Sequence, residues 1–188
     1  MRFPGLVLPV SLVGANVGGK PNFEAIAWFT FLGSRPVLVG VCSDRSHYTN
    51  GGVKENGTFS VNIPQAELVV ETDYSGLNSG SKVDKSRLFD VFYGDLKTAP
   101  MIRECRVNME CRLNQTLEFG NNELLVGEVV ASYVDEECLS DGKCDLDKVN
   151  PFLYEEGRIP ANYRRMGGPF ATAFEVGAQY KHMSKHEK

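Results

Sequence analysis

The chain has 188 residues, 42% of them apolar and 23% charged, and a formal net charge of −4. That length and balance suit one domain with its own core and exclude disorder over most of the chain. Lys and Arg occur in no run longer than a pair, which excludes a general nucleic-acid surface and means that an anionic ligand needs locally placed positive groups.

The first segment, 1-MRFPGLVLPVSLVGANVGG-19, has its apolar positions broken by Pro4, Gly5, Pro9 and Gly14. It reads as a strand over 7–14 and not as a signal peptide or membrane helix, so the expectation is a cytoplasmic protein without a membrane partner. A second strand is expected over 23–33, containing 25-AIAWFTF-31 and the only tryptophan, Trp28. Ala25, Ala27, Phe29 and Phe31 point one way and Ile26, Trp28 and Leu32 the other, so both faces are apolar and something should pack on each. A third strand, 36–43, follows after a short turn.

Next, 43-SDRSHYT-49 leads into a helix over 46–56. Ser43, Arg45, Ser46 and Thr49 at that junction offer hydroxyls, N–H groups and the positive end of a helix, a combination that suits a phosphate. Gly51 and Gly52 weaken this helix and shift it toward its second half. In 58-TFSVNI-63 apolar Phe59, Val61 and Ile63 alternate with polar residues, which predicts a strand covered on one face. Pro64 suits the start of a helix from Gln65 to about Thr72. The loop 75-SGLNSGSKVDK-85 offers Gly76 and Gly80 for close backbone approach and Lys82 and Lys85 for charge, although such a composition also describes a turn with solvated lysines. A turn or two of helix is expected from Val83 to Phe89.

Alternation in 105-CRVNMECRL-113 predicts a strand over 103–114 with one buried and one wet face. Cys105 and Cys111 on it are roughly 20 Å apart, at about 3.3 Å per residue, and can neither bridge nor share a metal. Another strand is expected over 122–134. Cys138 and Cys144 lie in the loop 136-EECLSDGKCD-145 and read as two surface thiols in preference to a redox pair, because cytosolic disulfides are uncommon. A weaker strand is expected near 170–177. The tail 181-KHMSKHEK-188 is polar and expected to fray, with His182 and His186 solvated.

Many closely spaced strands and few short helices predict a mainly β, antiparallel barrel or sandwich. There is no G-x-S-x-G, and only His47 of three histidines lies in the body of the chain, so a Ser/His machine is not supported. G-x-G-x-x-G and Walker loops are also missing from the sequence.

Taken in order, Asn22, 27-AWFT-30, 36-PVLVGVCSDRSHYT-49, 59-FSVNIP-64, 76-GLNSGSKVDK-85 and 126-VGEV-129 resemble the flavin reductase-like family, and within it the flavoredoxin group. The resemblance runs from about Pro9 to Phe174. It implies an FMN-binding split β-barrel, antiparallel and Greek-key-like with short peripheral helices, spanning 1–188 as a single domain. It implies FMN as cofactor and a homodimer with the flavin near the subunit interface. By the same resemblance, Ala27, Trp28, Phe29 and Thr30 run along the flavin and Cys42 and Ser43 contact its ribityl chain. Asn22, Arg45, Thr49 and Lys85, with Lys82 nearby, surround its phosphate. Because FMN carries electrons itself, no catalytic acid or nucleophile of the protein is expected.

Two activities follow from the resemblance. One is an NAD(P)H-dependent flavin or ferric oxidoreductase; the other is a flavoredoxin-type electron carrier between protein partners, without a nicotinamide site. A flavin-binding module without catalysis is a third reading. Arg158, Arg164 and Arg165 in 157-GRIPANYRRMGG-168 either supply a nicotinamide pocket or cap a surface turn.

Overall fold

The computed structural model describes residues 5–157 and 159–180. The first expected strand is two: β1 (Leu6–Pro9) and β2 (Ser11–Val17). Gly18 and Gly19, both at positive φ, turn the chain tightly from β2 into β3 (Lys20–Ile26). The run expected as one strand over 23–33 breaks at Ala27 and Trp28 and resumes as β4 (Phe29–Ser34), which forms a hairpin with β5 (Val37–Asp44). Then come α1 (Tyr48–Asn56), β6 (Thr58–Ile63), α2 (Val69–Leu77) and a short pair, β7 (Val91–Phe92) with β8 (Met101–Ile102). The long hairpin of β9 (Val107–Phe119) and β10 (Asn122–Val134) follows. The chain ends in a small hairpin, β11 (Leu139–Ser140) with β12 (Lys143–Cys144), then α3 (Leu146–Val149), β13 (Phe152–Glu156) and β14 (Asn162–Arg165).

The main sheet is antiparallel, in the order β3-β2-β6-β9-β10-β5-β4. β3 and β4 are consecutive in sequence yet lie on opposite edges, so Ala27 and Trp28 carry the chain from one edge to the other. The sheet must curl for two residues to span that gap, and the Cys42 N–H donates to the Trp28 carbonyl at 2.8 Å where it does so. The result is the mainly β split barrel that the sequence leads one to expect, open along the seam between β3 and β4. Among the described residues no helix is long and apolar enough to cross a membrane.

Inside the barrel pack Val13, Val39, Val41, Phe59, Val61 and Leu125, with Val53 of α1 against them. A second cluster of Leu12, Phe23, Phe89, Ile102 and Cys105 covers the other face of β2 and β3. With β8 and the loop before it, this second layer leaves β6, and β9 from Asn108 to Cys111, without a wet face. Ser60, Asn62, Asn108 and Glu110 are all buried, contrary to the alternation reading. Asn62 donates to the Leu12 carbonyl at 2.7 Å and accepts from the Ile102 N–H at 3.2 Å, joining β2 to β8. Cys138 is likewise buried where a surface thiol was expected, whereas Cys144 is exposed.

α1 is complete from Tyr48, glycines included. A Cβ on Gly52 would stand 2.2 Å from the Asn16 carbonyl oxygen, so the missing side chain lets the helix lie against β2. Gly57, at φ 65°, ends it, its N–H donating to the Val53 carbonyl at 2.8 Å. The strand expected near 170–177 does not form: that stretch is exposed and holds only a 3₁₀ turn, Val176–Gln179. β4 is an edge strand, not one packed on both faces, with Phe31 59% and Leu32 47% exposed. Arg158, His182 and His186 lie outside the described residues.

Glu110 holds the loop after β7. Its carboxylate accepts from the Asp95 N–H at 3.0 Å, the Leu96 N–H at 2.7 Å and the Tyr133 hydroxyl at 2.6 Å. Burial alone would raise its pKa, but these donors hold it below the ordinary carboxylate range. A depressed folded-state pKa contributes stability above the ordinary range, and that contribution is lost as pH falls through the depressed value. Glu110→Ala is therefore expected to lower the unfolding free energy by about 3 kcal/mol at neutral pH, with the gap to wild type shrinking in acid. Urea titrations at both pH values check this, and an equal gap at both would contradict it.

Candidate functional site

Three adjoining cavities run along β3. The first, about 290 Å³, lies against Lys20 and Asn22 and is closed by Ser81, Lys82 and Lys85. The second, about 310 Å³, is lined by Glu24, His47, Thr49, Ser75 and Lys85. The third, about 250 Å³, lies against Ala25, Ile26 and Ala27 and is walled by Asp73, Tyr154 and Tyr163. Tyr48, Gly80 and Lys85 border both of the first two, and Ala25, Gly76 and Leu77 border both the second and the third. At about 3.3 Å per residue, the trough from Lys20 to Ala27 is about 23 Å long.

Local sequence explains how the wall closes. A Cβ on Gly80 would stand 1.9 Å from the Asn22 Oδ1, so only glycine lets the loop come this near to β3. The Asp84 carboxylate accepts from the Ser86 N–H at 3.2 Å and starts the short 3₁₀ turn Lys85–Leu88. That turn drives Lys85 inward until it is 3% exposed, where its Nζ donates to the Ser75 carbonyl at 3.0 Å. Burial lowers the Lys85 pKa, and the Glu24 charge opposes the shift. An ammonium has three donors, so two remain for a ligand.

The opposite wall is polar. Asn22 Nδ2 donates to Thr49 Oγ1 at 2.7 Å, both residues being buried. Glu24 is buried, with Oε2 3.3 Å from His47 Nδ1, while its Oε1 has no hydrogen-bond partner among the described residues. The bond to Glu24 raises the His47 pKa and partial burial opposes it. At the far end the indole of Trp28 donates from Nε1 to Glu156 Oε2 at 2.9 Å, which ties β13 to the barrel seam. The Tyr163 hydroxyl donates to Asp73 Oδ1 at 2.8 Å and ties β14 to α2. The trough is thus cationic around Lys82 and Lys85, hydrogen-bonding in the middle, and apolar with aromatic walls beside Ala27.

Of the residues expected from the sequence, Asn22, Thr49, Lys82, Lys85 and Ala27 line this trough, and Trp28 follows directly on its end. Phe29, Thr30, Cys42, Ser43 and Arg45 line none of the three cavities. Phe29 packs on the barrel core, and the Thr30 hydroxyl is exposed. Cys42 is half-buried in β5, where burial raises its thiol pKa. Ser43 and Asn50 exchange side-chain hydrogen bonds at 3.1 and 2.9 Å, and Arg45 pairs with Glu118 at 3.0 Å on the surface. Ser46 is spent on Asp44 at 2.6 Å. The 43–49 segment therefore reaches the trough through Ser46, His47, Tyr48 and Thr49.

Sequence reasoning missed Glu24, Asp73, Tyr154 and Tyr163, and treated His47 only as a would-be catalytic base. The available signal for Glu24 was a lone acid inside an otherwise apolar run. Arg164 is paired with Glu155 at 2.6 Å, and Arg164 and Arg165 border a separate small cavity with Val69 and Phe152.

The sequence model of the flavin reductase like domain matches residues 3–162. The chain belongs to this family. Among solved structures, this flavin reductase-like chain is similar to flavoredoxin from Methanosarcina acetivorans, with 47% identity and a TM-score of 0.89 over 93% of this chain and 92% of the other. Flavoredoxin of Desulfovibrio vulgaris (Miyazaki F) is 30% identical, with a TM-score of 0.84 over 94% of this chain and 95% of that one. A ferric-chelate reductase (NAD(P)H) of Archaeoglobus fulgidus is 31% identical over 133 residues, covering 69% of this chain and 74% of the other.

Proposed function

We propose that this flavin reductase-like chain binds FMN in the trough along β3 and passes electrons through it. The observation that carries the reading is the gradient of the trough: buried Lys85 where the first and middle cavities join, with Thr49 and His47 beside it, then the polar groups of the middle cavity, and Ala27 with Tyr154 and Tyr163 at the far end. FMN carries a phosphate, a polyol chain and a flat ring in that same order. Lys85, Lys82, Asn22 and Thr49 would hold the phosphate, and Ala27, Tyr154 and Tyr163 would line the ring. Bound there, FMN supplies one- and two-electron chemistry. The protein's part is to fix the phosphate by charge, to keep the ring in an apolar cleft and to limit water around it.

Two activities compete for this site. The carrier reading, electron transfer between protein partners, is supported by 47% identity to a flavoredoxin over almost the whole chain. It also fits the pairing of Arg164 with Glu155, which removes one arginine that a nicotinamide pocket would draw on. The NAD(P)H-dependent reading is supported by the 31% identity to a ferric-chelate reductase (NAD(P)H). A homodimer belongs to either reading: β4 pairs with β5 on one side only, its outer edge meets no strand among the described residues, and it exposes Phe31 and Leu32, which a second copy would cover.

Adding FMN to the purified chain and then NADH or NADPH without oxygen separates the activities. Bleaching of the flavin band by the nicotinamide supports the reductase, and bleaching only by a reduced ferredoxin-like donor supports the carrier. Failure to take up FMN contradicts the whole reading. Lys85→Met should weaken FMN binding by about 2 kcal/mol through loss of a charge-assisted phosphate contact, whereas Arg45→Ala should leave it unchanged, as fluorescence titration would register. Light scattering should return twice the chain mass, and the mass of one chain would refute the dimer.

A further inference from the structure

His47 is the one histidine among the described residues, and it lines the middle cavity with its side chain 44% exposed. Its Nδ1 lies 3.3 Å from the Oε2 of Glu24, which is 8% exposed at the side chain and whose second oxygen is buried without a partner. A buried carboxylate so poorly supplied needs that imidazole N–H, because an unmet charge in the interior is costly. The demand places the proton on Nδ1 and leaves Nε2 as the ring atom free for a ligand. Lys85 lines the same cavity with two unused donors.

We propose that His47, held by the positioning residue Glu24, is a further phosphate-binding residue of the trough, donating from Nε2 to the flavin phosphate and making FMN affinity depend on pH. This rests on the reading that the trough holds FMN. Around His47 stand Glu24 from β3, Asp44 from the end of β5 and Lys85 from the 3₁₀ turn. The two carboxylates raise its proton affinity, while partial burial and the lysine lower it. The balance is upward, so the charged imidazolium persists above the ordinary histidine range and is lost as pH rises through the elevated pKa. An anion seated beside it raises that pKa again, so binding takes up a proton. Phosphate binding is strongest with both His47 and Lys85 charged and weakens as His47 deprotonates.

The test is a fluorescence titration of FMN and of riboflavin, which lacks the phosphate, against wild type, His47→Gln and Glu24→Gln at pH 7 and pH 9. The flavin phosphate is already mostly dianionic across this interval, since its second pKa is about 6. Wild type should bind FMN about fivefold to tenfold more weakly at pH 9 than at pH 7, and riboflavin equally at both. His47→Gln should lose most of the FMN slope. Glu24→Gln should retain binding but move the fall in FMN affinity to lower pH, an effect that mere structural damage would not produce. An undiminished slope in His47→Gln, or the same slope for riboflavin as for FMN, overturns the proposal. Wild type that binds neither flavin would instead overturn the underlying reading of the trough.

Discussion

Closure of the barrel by two residues is the constraint on which the rest depends. β3 and β4 follow one another in the chain but occupy opposite edges of the seven-stranded sheet, so Ala27 and Trp28 must bridge them. The Cys42 N–H bonded to the Trp28 carbonyl and the Trp28 indole bonded to Glu156 fix that crossing from two sides. A sheet curled this way leaves β3 with no strand beyond it. Its free edge is met instead by α2, by the 79–85 loop and by β13 and β14, and the gaps between those pieces are the trough.

Charge is distributed to match. Glu110 and the fully buried Glu123 are structural: Glu110 accepts from two backbone N–H groups of the loop after β7, and Glu123 forms an ion pair with Lys54 of α1 at 2.6 Å. Lys85 and Glu24 differ. Each is more than nine-tenths buried and each keeps hydrogen-bonding capacity that the protein does not use. Incomplete satisfaction of buried charge destabilises a fold, and Glu123 also has carboxylate oxygens without a hydrogen bond among the described residues, but only Glu24 and Lys85 share a cavity, which makes them candidates for a ligand.

The sequence was legible where local pattern and final environment agree. The strand over 122–134 and that over 58–63 appear with the expected ends, because alternation and turn residues mark them. The lysine loop was legible too: Gly80 and Lys85 announce close approach and charge, and both line the trough. The break at Ala27–Trp28 was not legible, since apolar alternation runs through it and the reason for the break is the position of β4 on the far edge. Nor was the burial of Asn62 and Glu110, whose polar faces are covered by β7, β8 and the loop between them, distant in sequence. Arg45 looked available for phosphate because its partner, Glu118, arrives from the β9–β10 hairpin. In each miss a long-range contact overrode a correct local pattern.

Trp28 began as an indole in an apolar strand and ends as the pin at the barrel seam, next to the apolar end of the trough. Because it is the only tryptophan in the chain, its emission reports on that one place. Titrating the protein with FMN while following tryptophan fluorescence tests the central claim, that the trough along β3 holds the flavin. Quenching that saturates at one flavin per chain is the result this account predicts, and FMN that binds while leaving Trp28 emission unchanged would contradict it.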